Sequence, residues 1–212
     1  MLLKWMVAEV PAGDRDDFAE AQRGWAPIAL AQGLIGQVGG WNQEGAACML
    51  AAWSDAGAYK RFYDHVHDAI TDFNEQQGTY VGLHVALAHS VVAMPGDADS
   101  FADAMAGATF LRLADCNVHN ARVSHFVRAQ LTVWAPGMAA CEGMLGGRFS
   151  ASVDRAGRYL VSTLWRDEAD HQAYVNGPFT GLRDAAGASI DLASIKGHRV
   201  ALDPTWTIRG VA

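Results

Sequence analysis

The sequence predicts an α+β fold made of two tandem βαββαβ units, and three observations carry that prediction. The first is self-similarity. Phe18-Ala-Glu-Ala-Gln22 recurs as Phe126-Val-Arg-Ala-Gln130, Trp25-Ala-Pro27 as Trp134-Ala-Pro136, and Gly33-Leu-Ile-Gly36 as Gly143-Met-Leu-Gly146. Trp53 then matches Trp165 and Phe62 matches Tyr174, the offset growing by single residues at turns, as differences in loop length require. The second is the order of apolar periodicities within each copy, strand, helix, strand, strand, helix, strand. The third is an Ala-, Gly- and Asp-rich stretch between the copies. The expected division is a first unit at 1–94, a linker at 95–108 and a second unit at 109–212.

Each element of the first copy has a local cause. LLKWMVAEV is an apolar run that stops at Pro11-Ala-Gly13, as a strand does. Asp14 or Asp16 is placed to cap the following helix, which runs to about Gln32 and ends at Gly33. IGQVGGW and AACMLAAW form a hairpin turning through Asn42-Gln-Glu-Gly45. Ser54 or Asp55 caps a long second helix through Gln77, and TYVGLHVALAHSVV is the last strand. Such a βαββαβ unit is ferredoxin-like, with helices on one face of its sheet. The other face needs cover, and a second copy supplies it. The expected whole is therefore two ferredoxin-like units packed sheet to sheet, an intramolecular barrel with an internal pseudo-two-fold. It is expected as a monomer or as a homodimer of such monomers.

Composition excludes several classes of function. Half of the 212 residues are hydrophobic and 18% are charged, enough to bury a core. A net charge of −7 with no Lys/Arg-rich run argues against nucleic acid. The apolar start MLLKWMVAEV is too short for a signal peptide or a membrane span. Cys48, Cys116 and Cys141 form no CxxC pair and are expected as reduced thiols in a cytoplasmic protein.

GLIGQVGGW, the Trp closing the third strand, and the helix carrying Tyr-Lys-Arg-Phe…His-Asp-Ala-Ile resemble the dimeric α+β barrel superfamily. The likeness is nearest to its YdbC-like branch, beside antibiotic biosynthesis monooxygenases, and covers nearly the whole chain once per copy. It implies a small-molecule pocket between the helices and the sheet of each unit, and a small-molecule ligand as the partner.

The polar residues able to face such a pocket are few. In the second helix Tyr59, Phe62, Tyr63, Val66, Ile70 and Phe73 make an apolar stripe, with His67 on one border and His65 on the other. An imidazole there can take or give a proton, with Asp64 or Asp68 beside it. His65 and His67 diverge on a helix, so they make no metal clip, and no metal site is expected. On the first strand, alternation puts Lys4 and Met6 on one face, and Arg112 stands where Lys4 does in the second copy. Opposite His65-Val-His67 stand Gly177-Pro178-Phe179, without an ionisable group, so chemistry carried by this helix is expected in the first copy alone, two differently tuned pockets being the alternative. His171 is expected at the surface.

Three functions compete. The resemblance implies a cofactor-independent monooxygenase acting on an electron-rich aromatic or polyketide-like substrate. His67, Trp53 and Tyr63 would be catalytic, and Lys4, Met6, His65 and Asp68 would bind substrate. A haem-binding or haem-degrading protein is the second. Relatives of that kind carry an Asn on strand one, a Trp ending strand three and an axial His on helix two. Copy one has Trp53 and His67 but Met6 and Ala8 where the Asn belongs; copy two has Asn117 and Trp165 but Phe179. The third is a non-catalytic metabolite-binding or stress-related protein.

Overall fold

The structure is a computed structural model that describes residues 1–211. The chain forms two compact units, Met1–Leu87 with the segment from Val200 onward, and Ala88–Arg199.

In unit 1, β1 (Leu2–Glu9) pairs antiparallel with β3 (Ala47–Trp53), and β3 pairs with β2 (Leu34–Asn42). The start of β4 (Gly82–Pro95) lies beside β1. The resulting order β2-β3-β1-β4 is the ferredoxin-like order expected from sequence. Between β1 and β2 lie α1 (Arg15–Arg23) and a 3-10 turn at Ala26–Leu30. Neither Asp14 nor Asp16 caps α1 through its side chain, contrary to expectation; the chain enters instead through a 3-10 turn at Ala12–Asp14. At the second helix the expected cap is present, Asp55 accepting from the Ala58 N–H at 2.8 Å.

That second helix is not uniform. α2 (Ala56–Phe62) passes through a π turn at Tyr63–His67 into α3 (Asp68–Asn74). The apolar stripe predicted for one continuous α-helix therefore breaks. Phe62 and Ile70 are buried, but Tyr63 is half exposed and Phe73 is 86% exposed. An i→i+5 turn inserts one residue into the helical register and stacks positions five apart. His67 consequently lies against the Phe62 ring, centroids 5.9 Å apart.

β2 completes unit 1 on its outer side, pairing with Val200–Leu202 at the end of β8 (Leu192–Leu202) and with β9 (Ile208–Arg209). Trp206 is fully buried against Phe18 and Trp41. Gly40 permits this pairing, since a Cβ there would sit 1.9 Å from the Ala201 carbonyl oxygen.

Unit 2 has the corresponding order. β6 (Met144–Ser152), β7 (Arg158–Trp165), β5 (Phe110–Val118) and the first part of β8 run side by side, and the second half of β4, Ala88–Pro95, pairs with β6. Its helices are α5 (Val123–Ala129), a π turn at Gln130–Trp134, α6 (Ala135–Ala139), α7 (Glu168–Asn176) and α8 (Phe179–Ala186). The stretch whose composition marks a linker carries α4 (Phe101–Gly107), capped by Ser100 and burying Phe101, Ala104 and Met105. Three apolar side chains at i, i+3 and i+4 suffice to seat so short a helix.

Candidate functional site in the first unit

The sheet face of unit 1 that looks toward its helices is floored by alternate residues of four strands, Leu83 and Val85 of β4 among them. Lys4, Met6 and Ala8 of β1, Gln37 of β2, and Met49, Ala51 and Trp53 of β3 line a cavity of about 420 Å³. Strand pairing puts Lys4, Ala51 and Gln37 in one row across the sheet. The walls are aromatic: Phe18 and Trp25 from the first helical segment, Tyr59, Phe62, Tyr63 and His67 from the second. A volume of this size holds two or three fused rings.

The cavity is a positive pocket in a negative protein. Its lining includes a lysine and a histidine but no Asp or Glu. Burial lowers the Lys4 ammonium from 10.5 to about 8, and its nearest aromatic face is Tyr59, 5.8 Å from Nζ to the ring centroid. No carboxylate among the described residues pairs with Lys4. A cation held in poor solvent without a counter-ion is a standing cost, which an anionic ligand would offset.

Two further donors share that floor without acceptors. The Trp53 indole N–H and the Gln37 amide nitrogen are buried with no hydrogen-bond partner among the described residues. In unit 2 the corresponding indole, Trp165, donates to Thr163 Oγ1 at 2.9 Å. Thr163 pairs with Arg112 as Ala51 pairs with Lys4. The first unit has thus an alanine where the second keeps the internal acceptor. Ala51→Thr should satisfy the Trp53 N–H and raise stability by about 1 kcal/mol. Ligand affinity should fall about tenfold as the methyl and hydroxyl fill the floor. Thermal denaturation beside a binding titration checks both, and unchanged affinity would remove Trp53 from the site.

A chain of amides braces the mouth. Trp25 Nε1 donates to Gln76 Oε1 at 2.7 Å, and Gln76 Nε2 donates to Gln22 Oε1 at 3.1 Å. All three residues line the cavity. Gln22 belongs to the repeated Phe-Xaa-Xaa-Ala-Gln motif, so a polar residue recurring beside an apolar helix face was the signal available in the sequence.

His67 stands between Trp25 and Tyr63, with ring centroids 5.5 and 4.7 Å away. Its Nδ1 lies 3.0 Å from Asp68 Oδ1, the carboxylate accepting the ring N–H and leaving Nε2 as the basic nitrogen. The structure thus brings Lys4, Met6, Trp53, Tyr63 and His67 to one cavity. Asp68 lies outside the lining and reaches it only through His67. His65, expected to bind substrate, is exposed and away from the cavity, because the π turn carries His67 inward and leaves its neighbour outside. Among the described residues no cluster of three His, Cys, Asp or Glu side chains could hold a metal ion.

Comparison with known proteins places the chain. A domain of unknown function, DUF4937, matches residues 2–88, and antibiotic biosynthesis monooxygenase matches residues 109–179. The uncharacterized protein YdbC of Bacillus subtilis is 32% identical over 91 residues, which cover 41% of this chain and 76% of YdbC. The chain belongs to the YdbC-like side of the dimeric α+β barrel superfamily. Its fold is also that of a candidate monooxygenase from Lactobacillus acidophilus NCFM, with 12% identity, a TM-score of 0.74, and 100% of this chain and 97% of the other covered. An anthrone oxidase-like protein aligns at 10% identity and a TM-score of 0.68, over 95% and 90% of the two chains. Its fold is that of the antibiotic biosynthesis monooxygenases. No helix among the described residues is long and apolar enough to cross a membrane.

Within this YdbC-like protein, unit 2 repeats the framework and changes the chemistry. Trp134 meets Phe179 at 5.9 Å where Trp25 meets His67, and Trp165 meets Tyr174 at 5.2 Å where Trp53 meets Phe62 at 4.9 Å. His171 occupies the place of Tyr59. Contrary to the surface position expected for it, it is 3% exposed, packed on Phe110 and Trp165, with Nδ1 lacking a partner. Its helix turns it onto the sheet because the position sits on the apolar side of α7, beside Tyr174.

Burial, reinforced by Arg112 and Arg199, lowers the His171 imidazole from 6.5 to about 4. Between those values the unfolded chain holds a proton that the folded chain refuses, so stability falls as pH drops from 6.5 through 4. The loss from pH 7 to pH 5 should be about 2 kcal/mol, and His171→Phe should remove most of it. Urea midpoints at the two pH values measure this. An equal loss in the variant would assign the pH dependence to another group.

Proposed function

We propose that this protein is a cofactor-independent monooxygenase whose substrate is an electron-rich, fused-ring phenol or anthrone bound in the cavity of unit 1. The observation that carries the reading is the pairing, in one aromatic-walled cavity, of an uncompensated Lys4 with a His67 oriented by Asp68. The likeness to an anthrone oxidase-like protein supports the ring class but fixes no residue role.

In this reading the rings lie between Trp25, Phe62 and Tyr63, and a phenolate or enolate oxygen rests on Lys4, with the Trp53 and Gln37 donors beside it. His67 takes the proton from the activated carbon or hydroxyl, and Lys4 stabilises the negative charge that develops. The substrate itself supplies the electrons. For an activated ring methylene, the methylene group and one dioxygen become a ketone carbonyl and one water. Two C–H bonds break, one C=O bond forms, and the second oxygen atom leaves with both hydrogens as water. Met6 fills the floor beside Lys4 as an apolar contact. The correspondence of ring pairs between the units further supports descent from a tandem duplication in which unit 1 alone retains a proton-transfer group.

The test is an oxygen electrode run with an anthrone, in the presence of a metal chelator and without added flavin. One dioxygen consumed per ketone formed is expected. Binding of anthrones and polyhydroxy phenols without oxygen uptake above buffer would refute catalysis and leave a non-catalytic binder.

A further inference from the structure

Unit 2 contains its own cavity, of about 200 Å³, and we infer that it is a second binding site, for a small aromatic carboxylate. Its lining differs from that of unit 1 in the direction that selects such a ligand. Trp134, Tyr174 and Phe179 provide ring faces, and Arg112 stands on the floor where Lys4 stands in unit 1. No acidic residue lines the cavity, and Arg112 has no carboxylate partner among the described residues. Arg183 lies at the edge, 5.9 Å from the Phe179 ring centroid and paired with exposed Asp184 at 3.2 Å. Gln130 is 4% exposed, lines the cavity, and has a buried amide oxygen without a partner.

The chemistry of the ligand follows from these groups. A guanidinium is a planar fork that matches the two oxygens of a carboxylate, where a lysine presents only a point charge. The volume sets the apolar part: a cavity of roughly 150 Å³ accepts a benzene ring, so this one takes one or two fused rings with the acid group at Arg112. A ring hydroxyl on the ligand can also donate to the Gln130 oxygen. With Phe179 in the place of His67, neither an imidazole nor a carboxylate lines the cavity to take a proton from the ring. Unit 2 therefore binds without turnover, at a site distinct from the cavity of unit 1.

The probe is 1-naphthoate, titrated calorimetrically against the intact protein, with the neutral 1-naphthamide as control. Wild type should bind the acid at least tenfold more tightly than the amide. Arg112→Met should lose at least tenfold in affinity for the acid. Arg112→Lys keeps the cation and guards against misfolding of the methionine variant; it should bind about fivefold more weakly than wild type. Equal binding of acid and amide, undiminished binding by either Arg112 variant, or no binding by wild type would each overturn the assignment.

Discussion

Lys4→Met is expected to make the protein more stable and to abolish capture of an anionic ligand in unit 1. Burial holds the Lys4 ammonium at about 8, below its ordinary 10.5, with no carboxylate in the cavity lining to offset the cost. The sign follows from linkage. Below about pH 8 both the folded and the unfolded chain carry the proton, and the folded state bears the full penalty. Between 8 and 10.5 the folded chain has released a proton that the unfolded chain still holds, so stability climbs with pH across that window. Methionine removes the penalty, and the gain at pH 7 should be about 1–3 kcal/mol, or several degrees in Tm. The gain should shrink as the pH approaches 10. Thermal scans at pH 7 and pH 10, beside titration with a phenolate ligand, measure both halves. A destabilised variant that still binds would mean that Lys4 is a solvated surface lysine. A residue whose removal strengthens the fold and empties the site is kept for function, since selection otherwise has no reason to retain it.

His67→Ala is expected to lower oxygen uptake by about 100- to 10,000-fold, the usual range for loss of a positioned acid–base group. The far-ultraviolet circular dichroism should stay intact, because His67 contributes ring contacts but no buried network. Its side-chain hydrogen bond is to Asp68, whose side chain is 88% exposed. Asp68→Asn should cost far less, about threefold to tenfold, because solvent screens an exposed carboxylate and the ring contacts with Trp25 and Tyr63 still orient the imidazole. Full activity in His67→Ala would remove His67 from the proton-transfer role while leaving the binding role of Lys4 standing. The two variants separate the two parts of the proposal: one reads ground-state charge recognition, the other reads chemistry.

Much of this was legible in the sequence. The repeated Phe-Xaa-Xaa-Ala-Gln and Trp-Ala-Pro motifs located corresponding helices, and alternation along MLLKWMVAEV put Lys4 and Met6 on the face that floors the cavity. These signals are local: a strand has a period of two whatever surrounds it. The helical side of the site was less legible. A stripe drawn at 3.6 residues per turn placed Phe73 with the core and His65 and His67 on equal and opposite borders. One π turn changed the register, exposing Phe73 and turning only His67 inward. Nothing in Tyr63-Asp-His-Val-His67 announces that insertion. His171 escaped for a related reason, since its burial depends on Phe110 and Trp165, which reach it through the fold of the sheet.

By itself, then, the sequence determined the strand, helix, strand, strand, helix, strand order within each unit and which strand residues share a face. All of these follow from neighbouring residues and from the geometry of the backbone. Tertiary structure alone decided that Val200–Leu202 and Trp206 complete unit 1, and that Lys4, Gln37 and Trp53 meet on one floor, the last two without acceptors among the described residues. Those facts depend on pairing between distant strands and on how far water is excluded from a given atom. Desolvation is a property of the assembled surroundings, so a lysine's altered proton affinity, and the site it marks, exist only once the chain has folded.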